Sequence, residues 1–215
     1  MSLAYLAGLI ASDGHLGKQD YKIQITTTNF SFATAIRQLL ANCGTKASIY
    51  KGRRHYEIYT CNKSLWESFV NNFKIPFGKK SYDLQDPKIV LQEDKISFLK
   101  GLLDGDSSIF ETRTVLRRQK KTYRYFVPRI EYASKSKAVV DWSIELMKEL
   151  GMKPYYNKHP KFYKWFLDGA ENIRKFENIV GYVHPDKQVK LKQLIDLYKN
   201  YSYFRPFPVD CTINA

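Results

Sequence analysis

The sequence predicts an α+β fold made of two pseudo-symmetric αββαββα halves, and three observations lead there. First, a nine-residue apolar pattern occurs twice, at Leu6-Ala7-Gly8-Leu9-Ile10-Ala11-Ser12-Asp13-Gly14 and at Leu99-Lys100-Gly101-Leu102-Leu103-Asp104-Gly105-Asp106-Ser107. Leu6, Gly8, Leu9 and Asp13 find their matches 93 positions later at Leu99, Gly101, Leu102 and Asp106. Second, the repeat continues past the pattern. Gly44-Thr45-Lys46 matches Gly151-Met152-Lys153, Tyr56 matches Tyr163 and Phe69 matches Phe176, now 107 positions on, so the second half carries an insertion. Third, each half alternates helical and strand-like periodicity in the same order.

Each half opens on its motif, an apolar helical turn that delivers one carboxylate. Tyr21 to Thr27 and the stretch around Arg129 to Ala133 alternate polar and apolar residues, which marks strands with one wet face. Helices follow near Ser31 to Asn42 and Lys137 to Leu150, each running to a glycine suited to a helix C-terminus, Gly44 and Gly151. Short strand pairs come next, Ala47 to Tyr50 with Tyr56 to Thr60, and Pro154 to Asn157 with Tyr163 to Leu167, joined by basic turns. A helix closes each unit, at Lys63 to Phe73 and Ala170 to Val180. The domain division is therefore residues 1–75 for the first half, 76–92 for a linker containing Pro76, Gly78 and Pro87, and 93–205 for the second half. Val183-His184-Pro185-Asp186-Lys187 opens a further helix to Tyr201, expected to pack on the second half.

Lys and Arg number 35 against 21 Asp and Glu, a formal charge of +14, which points to a polyanionic partner. An aromatic content of 15% argues against a disordered basic tail. Cys43, Cys61 and Cys211 are odd in number and lack zinc-site spacing, so a reducing, intracellular setting is expected and a disulfide framework is not. No apolar run approaches the roughly 20 residues that span a bilayer, and the N-terminus lacks signal-peptide features, so no membrane partner is expected.

The doubled pattern resembles the motif of LAGLIDADG homing endonucleases in the form that carries both motifs on one polypeptide. The resemblance implies two four-stranded antiparallel sheets forming a DNA-binding saddle, with the motif helices packed at the interface along a pseudo-twofold axis. It implies a monomer, double-stranded DNA as partner, and cleavage of one phosphodiester on each strand of a long asymmetric target. It places metal on Asp13 and Asp106 and on the carbonyls of Ser12 and Gly105, each acid serving mainly one strand. Mg²⁺ is the expected ion, with Mn²⁺ substituting and Ca²⁺ allowing binding without cleavage. Gly8 and Gly101 remove side chains that would hold the two helix backbones apart.

The family often carries a lysine just after the second strand of each half, and Ser134-Lys135 fits. Lys135 is the candidate for stabilising the phosphate or positioning water, whereas its counterpart Thr28 supplies no charge. Asp104, opposite Ala11, ranks below Asp106 as a ligand. A calcium-loop reading of Asp104 onwards fails, because Ile109 stands where Gly is needed and Val115 where Glu is needed.

Polar residues on alternate strand positions are candidates for phosphates and base edges. In the first half these are Lys22, Gln24, Thr26, Ser48, Tyr50, Arg53, Arg54, His55, Glu57 and Tyr59. In the second they are Glu111, Arg113, Arg117, Arg118, Gln119, Lys120, Lys121, Arg124, Arg129, Glu131, Tyr155, Asn157, Lys161, Tyr163 and Trp165. His15 follows the first motif directly. An alternative is an RNA-binding intron maturase on the same fold, with intron RNA as partner. A transcription regulator lacks a visible helix-turn-helix, and self-splicing is not expected because the chain starts directly at the motif. The expected location is a DNA-containing compartment, prokaryotic cytoplasm or organelle matrix.

Overall fold

The computed structural model describes residues 2–78, 83–118, 121–201 and 205–206, with backbone alone for 116–118, 121–124 and 205–206. The first half runs α1 (Leu3–Asp13), β1 (Gly14–Leu16), β2 (Lys22–Thr27), α2 (Phe30–Asn42), β3 (Ser48–Lys51), β4 (Tyr56–Cys61) and α3 (Lys63–Asn71). The second runs α4 (Gln92–Asp106), β5 (Ser107–Arg118), β6 (Lys121–Ser134), α5 (Lys137–Glu149), β7 (Tyr155–His159), β8 (Phe162–Asp168) and α6 (Ala170–Ile179). A last helix, α7 (Pro185–Leu197), and a two-residue strand, β9 (Arg205–Pro206), follow. The αββαββα order stands in both halves.

The sheets are antiparallel with orders β1-β2-β4-β3 and β5-β6-β8-β7, and β9 adds to β6. Their registers coincide under the 107-residue offset: Ile25 pairs Ile58 where Tyr132 pairs Trp165, and Gln24 pairs Tyr59 where Glu131 pairs Phe166. One face of each sheet carries the core, with Ile23, Ile25 and Ile58 in one half and Ile130, Trp165 and Leu167 in the other, each at most 1% exposed. Burying such a side chain contributes about 1.5–3 kcal/mol. The β5–β6 ribbon is the longer one, which accounts for the change in offset, and Gln119 and Lys120 at its turn lie outside the described residues.

Local signals set the helix ends. The side chains of Asn29, Asn62 and Ser136 accept from Phe32, Leu65 and Val139 backbone N–H, capping α2, α3 and α5. Gly44 and Gly151 take φ of 77° and 76° just past α2 and α5, a left-handed conformation that side chains resist.

The linker is tied down where it crosses, since Ser136 Oγ donates to the Leu84 carbonyl and Leu84 is buried. Helix α7 does pack on the second half, with the Tyr198 hydroxyl donating to Glu111 at 2.7 Å. Its first turn also reaches the first half. Asn29 Nδ2 donates to both Asp186 carboxylate oxygens at 3.2 Å, and the His184 ring lies 4.5 Å from Phe32. Among the described residues, no helix is long and apolar enough to cross a membrane.

Candidate active site

Helices α1 and α4 touch backbone to backbone. A Cβ on Gly8 would stand 1.9 Å from the Phe98 carbonyl oxygen, and one on Gly101 would stand 2.0 Å from that of Tyr5. The two approaches are one arrangement seen from either helix, because Phe98 and Tyr5 are themselves equivalent. The pseudo-twofold axis therefore runs through the crossing, and the two helices end side by side.

Their last residues are Asp13 and Asp106, both exposed. A helix C-terminus carries partial negative charge, so an acid there costs about 0.3–1 kcal/mol instead of stabilising the helix. Two such acids and two carbonyl ends converge: a Cβ on Gly105 would lie 3.3 Å from the Asp13 carboxyl carbon. Hard oxygen donors gathered at the negative ends of two helices suit a divalent cation of the Mg²⁺ type. The donor set fits that group.

The two halves of the site are unequal at the next position. Ser12 Oγ lies only 2.0 Å from where a Gly105 Cβ would sit, so Gly105 is required by its counterpart. The Ser12 hydroxyl donates back to the Leu9 carbonyl at 3.0 Å. The Gly105 carbonyl accepts from Lys187 Nζ at 3.0 Å, and the same ammonium bonds the Leu103 carbonyl at 2.8 Å. Lys187 is half-buried, and burial pulls its pKa down to about 8 against the opposing Asp104, Asp13 and Asp106 carboxylates. Lys187 is absent from the candidates that the sequence offers. Its only local signal is a basic residue in the first turn of a helix, which is a common surface feature.

Asp104 is not part of the acid pair's exposed face. It is 2% exposed and accepts from the Tyr5 hydroxyl at 2.7 Å and from the Val183 and His184 backbone N–H at 3.0 and 3.1 Å. Burial pushes its carboxyl pKa up while these bonds hold it down, and the Tyr5 phenol is pushed far up by burial and by Asp104. Asp104 thus joins α1, α4 and the segment before α7. Tyr5→Phe keeps the ring and removes one donor from a buried carboxylate, so urea unfolding should show a loss of about 1–3 kcal/mol. Unchanged stability would mean that Asp104 is satisfied without it.

A cavity of about 280 Å³ opens beside Asp106, with Ala11, Ser12, Leu84, Ser134 and Lys135 also in its lining. The structure therefore brings Lys135 to Asp106. The matching position in the first half, Thr28, is exposed and carries no charge.

The outward sheet faces hold many of the candidate contact residues. In the first sheet Lys22, Gln24, Thr26, Ser48, Tyr50, Glu57 and Tyr59 share the face opposite the core, since Ser48 and Gln24 both pair Tyr59 while Tyr50 and Thr26 both pair Glu57. His15 pairs Gln24 on the same face. Arg53 and Arg54 are exposed at the β3–β4 turn. Glu57 accepts from Gln24 Nε2 at 3.1 Å and pairs His55 Nε2 at 3.0 Å, so this acid is partnered. In the second sheet Arg129, Glu131, Tyr155 and Asn157 face outward, and Lys161 is exposed at the β7–β8 turn. Arg129 is engaged by Asp168 through two bonds of 2.7 Å and lies over Phe166.

Three expectations are corrected. Trp165 is fully buried, its indole N–H donating to Ser143 Oγ at 2.8 Å, and Tyr163 packs against the same core. Both lie one residue out of phase: the counterparts of Glu57 and Tyr59 are Lys164 and Phe166. Lys164 Nζ bonds Glu131 at 3.2 Å, repeating the Gln24–Glu57 cross-strand pair with the acid on the other strand. Arg113 is in register with Phe126, so it shares a face with Glu111 and the buried Ile109 and not with Arg129. Arg117, Arg118, Lys121 and Arg124 lie along the β5–β6 ribbon.

Fold and site together define a single chain of two pseudo-symmetric halves joined through two motif helices, each ending in a carboxylate. Residues 1–73 match the family model for a LAGLIDADG-like domain. It is similar to the tRNA-splicing ligase RtcB of Methanopyrus kandleri, 24% identical over 217 residues that cover 88% of this chain and 22% of that protein. It is also similar to the replication factor C small subunit of Methanocaldococcus jannaschii, 25% identical over 203 residues covering 92% of this chain and 10% of that protein. The chain thus spans about a fifth and a tenth of the length of these curated relatives. Among solved structures, the homing endonuclease I-DmoI in complex with DNA and Ca superposes with a TM-score of 0.61 at 19% identity, covering 89% of this chain and 96% of that one. At that identity the likeness is one of fold.

Proposed function

We propose that the protein is a sequence-specific, metal-dependent double-strand DNA endonuclease of the homing type, cutting one phosphodiester on each strand of a long asymmetric site. The observation that carries this reading is the pair of exposed carboxylates at the touching ends of two helices, set between two outward sheet faces rich in polar and basic groups. A divalent ion on Asp13, Asp106 and the carbonyls of Ser12 and Gly105 would supply charge neutralisation and an activated water when bound. The chain's own part is to bind and orient. The sheets hold the duplex so that one phosphate of each strand meets one acid, and Lys135 offers its ammonium to the phosphate beside Asp106. Because the two outward faces differ, as at Gln24 against Glu131 and Glu57 against Lys164, the target is not a perfect palindrome. I-DmoI, with DNA in its complexes, supports the docking mode by its shared fold.

Cut products from a randomised DNA library incubated with Mg²⁺, once sequenced, should reveal one asymmetric site. No cutting of any member would overturn the reading, and RNA that outcompetes the selected duplex would favour the maturase. Affinity for that duplex should fall with salt at a log–log slope of about −0.9 per neutralised phosphate. Replacing Arg53 and Arg54 with alanine should flatten the slope by about 1 for each phosphate no longer neutralised, similarly on all sequences. An unchanged slope would remove that turn from the interface.

A further inference from the structure

The cavity lined by Lys135 and Asp106 has an equivalent position in the first half. Under the two offsets its walls become Asp104, Gly105, Asp13, Thr27 and Thr28. Thr28 leaves that position without the lysine. The first turn of α7 docks there. In the second half, Ser136 holds Leu84 of the linker; in the first, the equivalent Asn29 holds Asp186, adjacent to Lys187. Phe32, equivalent to Val139, is covered by His184. Residues 183–187 therefore take the place in one half that the linker takes in the other. They bring an ammonium that the linker does not. Lys187 is held against the α4 end by the Leu103 and Gly105 carbonyls, within electrostatic reach of Asp13 and Asp106. Those two bonds use two of the three N–H donors of the ammonium.

We propose that Lys187 is the phosphate-facing cation for the DNA strand served by Asp13, as Lys135 is for the strand served by Asp106. The assignment rests on the endonuclease reading above. A chain with one motif repeated would otherwise cut its two strands with unequal help. The C-terminal helix restores a lysine to the deficient half from a different direction.

The test uses the full chain on the selected duplex, each strand carrying its own fluorescent end label. Lys187→Met should slow cleavage of one strand by about tenfold or more, since removing a transition-state donor commonly costs that much, and leave the other within about twofold. Lys135→Met should slow the opposite strand. Lys187→Arg should recover most of the rate by keeping the charge. If both variants slow the same strand, or if Lys187→Met slows both strands equally, Lys187 only caps α4 and the assignment fails. A second readout needs no cleavage. Removing a cation beside two acids should tighten Mn²⁺ binding to the DNA-free protein by about threefold or more in Lys187→Met. Unchanged Mn²⁺ affinity overturns the placement. Tighter Mn²⁺ binding in Lys187→Met, together with a wild type that cuts no DNA, overturns the endonuclease reading and with it the strand assignment, leaving only the position of the charge.

Discussion

Asp13→Asn or Asp106→Asn should abolish double-strand cleavage, by about a thousandfold or more, while leaving target affinity nearly intact. Asparagine keeps the size of the side chain and one oxygen but not the charge that a hard divalent ion needs. Each acid is the last residue of its motif helix and is exposed, so the substitution opens no cavity. Neutralising an acid at the negative end of a helix should even raise the unfolding free energy by about 0.3–1 kcal/mol. Abolished activity, retained binding and unchanged or higher stability together distinguish a metal ligand from a structural residue. Undiminished cutting by both variants would end the assignment of the acids.

Gly101→Ala should be among the most destabilising single methyl additions in the molecule. The new Cβ would meet the Tyr5 carbonyl oxygen at 2.0 Å and the Leu9 backbone nitrogen at 2.8 Å, both on a rigid buried helix. Neither can swing aside, so α1 and α4 must separate, at a cost of about 3 kcal/mol or more by overpacking. Gly44→Ala is the control. Nothing lies within 4 Å of its added carbon, and its φ of 77° alone should cost about 1–2 kcal/mol. Urea unfolding of the two variants separates close approach from backbone strain. Equal effects would mean that the helix crossing relaxes. Gly101→Ala should also lose cleavage, because the acids sit at the end of the interface it forces apart.

Much of this was legible in the chain. The doubled motif placed the two acids, the offsets placed matching elements, and the alternation in β2 separated Lys22, Gln24 and Thr26 from Ile23, Ile25 and Thr27. The same offsets contained the phase of β8, since Trp165 corresponds to Ile58, a plain core residue; an aromatic with a polar N–H reads ambiguously by type alone. Arg113 failed for a related reason. Beyond Ile109 the long β5–β6 ribbon has no counterpart in the first half, so the phase of its extension follows only from hydrogen-bond register across the pair.

Local pattern by itself determined the two-half architecture and the carboxylate pair, because periodicity and repetition are properties of neighbours in sequence and of equal spacing. Tertiary structure alone decided that Asp104 is a buried tie, that Ser12 demands glycine at 105, and that Lys187 bonds the Leu103 and Gly105 carbonyls at the end of α4. These contacts join residues that no period connects. Their geometry exists only once α1 and α4 have crossed and α7 has folded back across both halves.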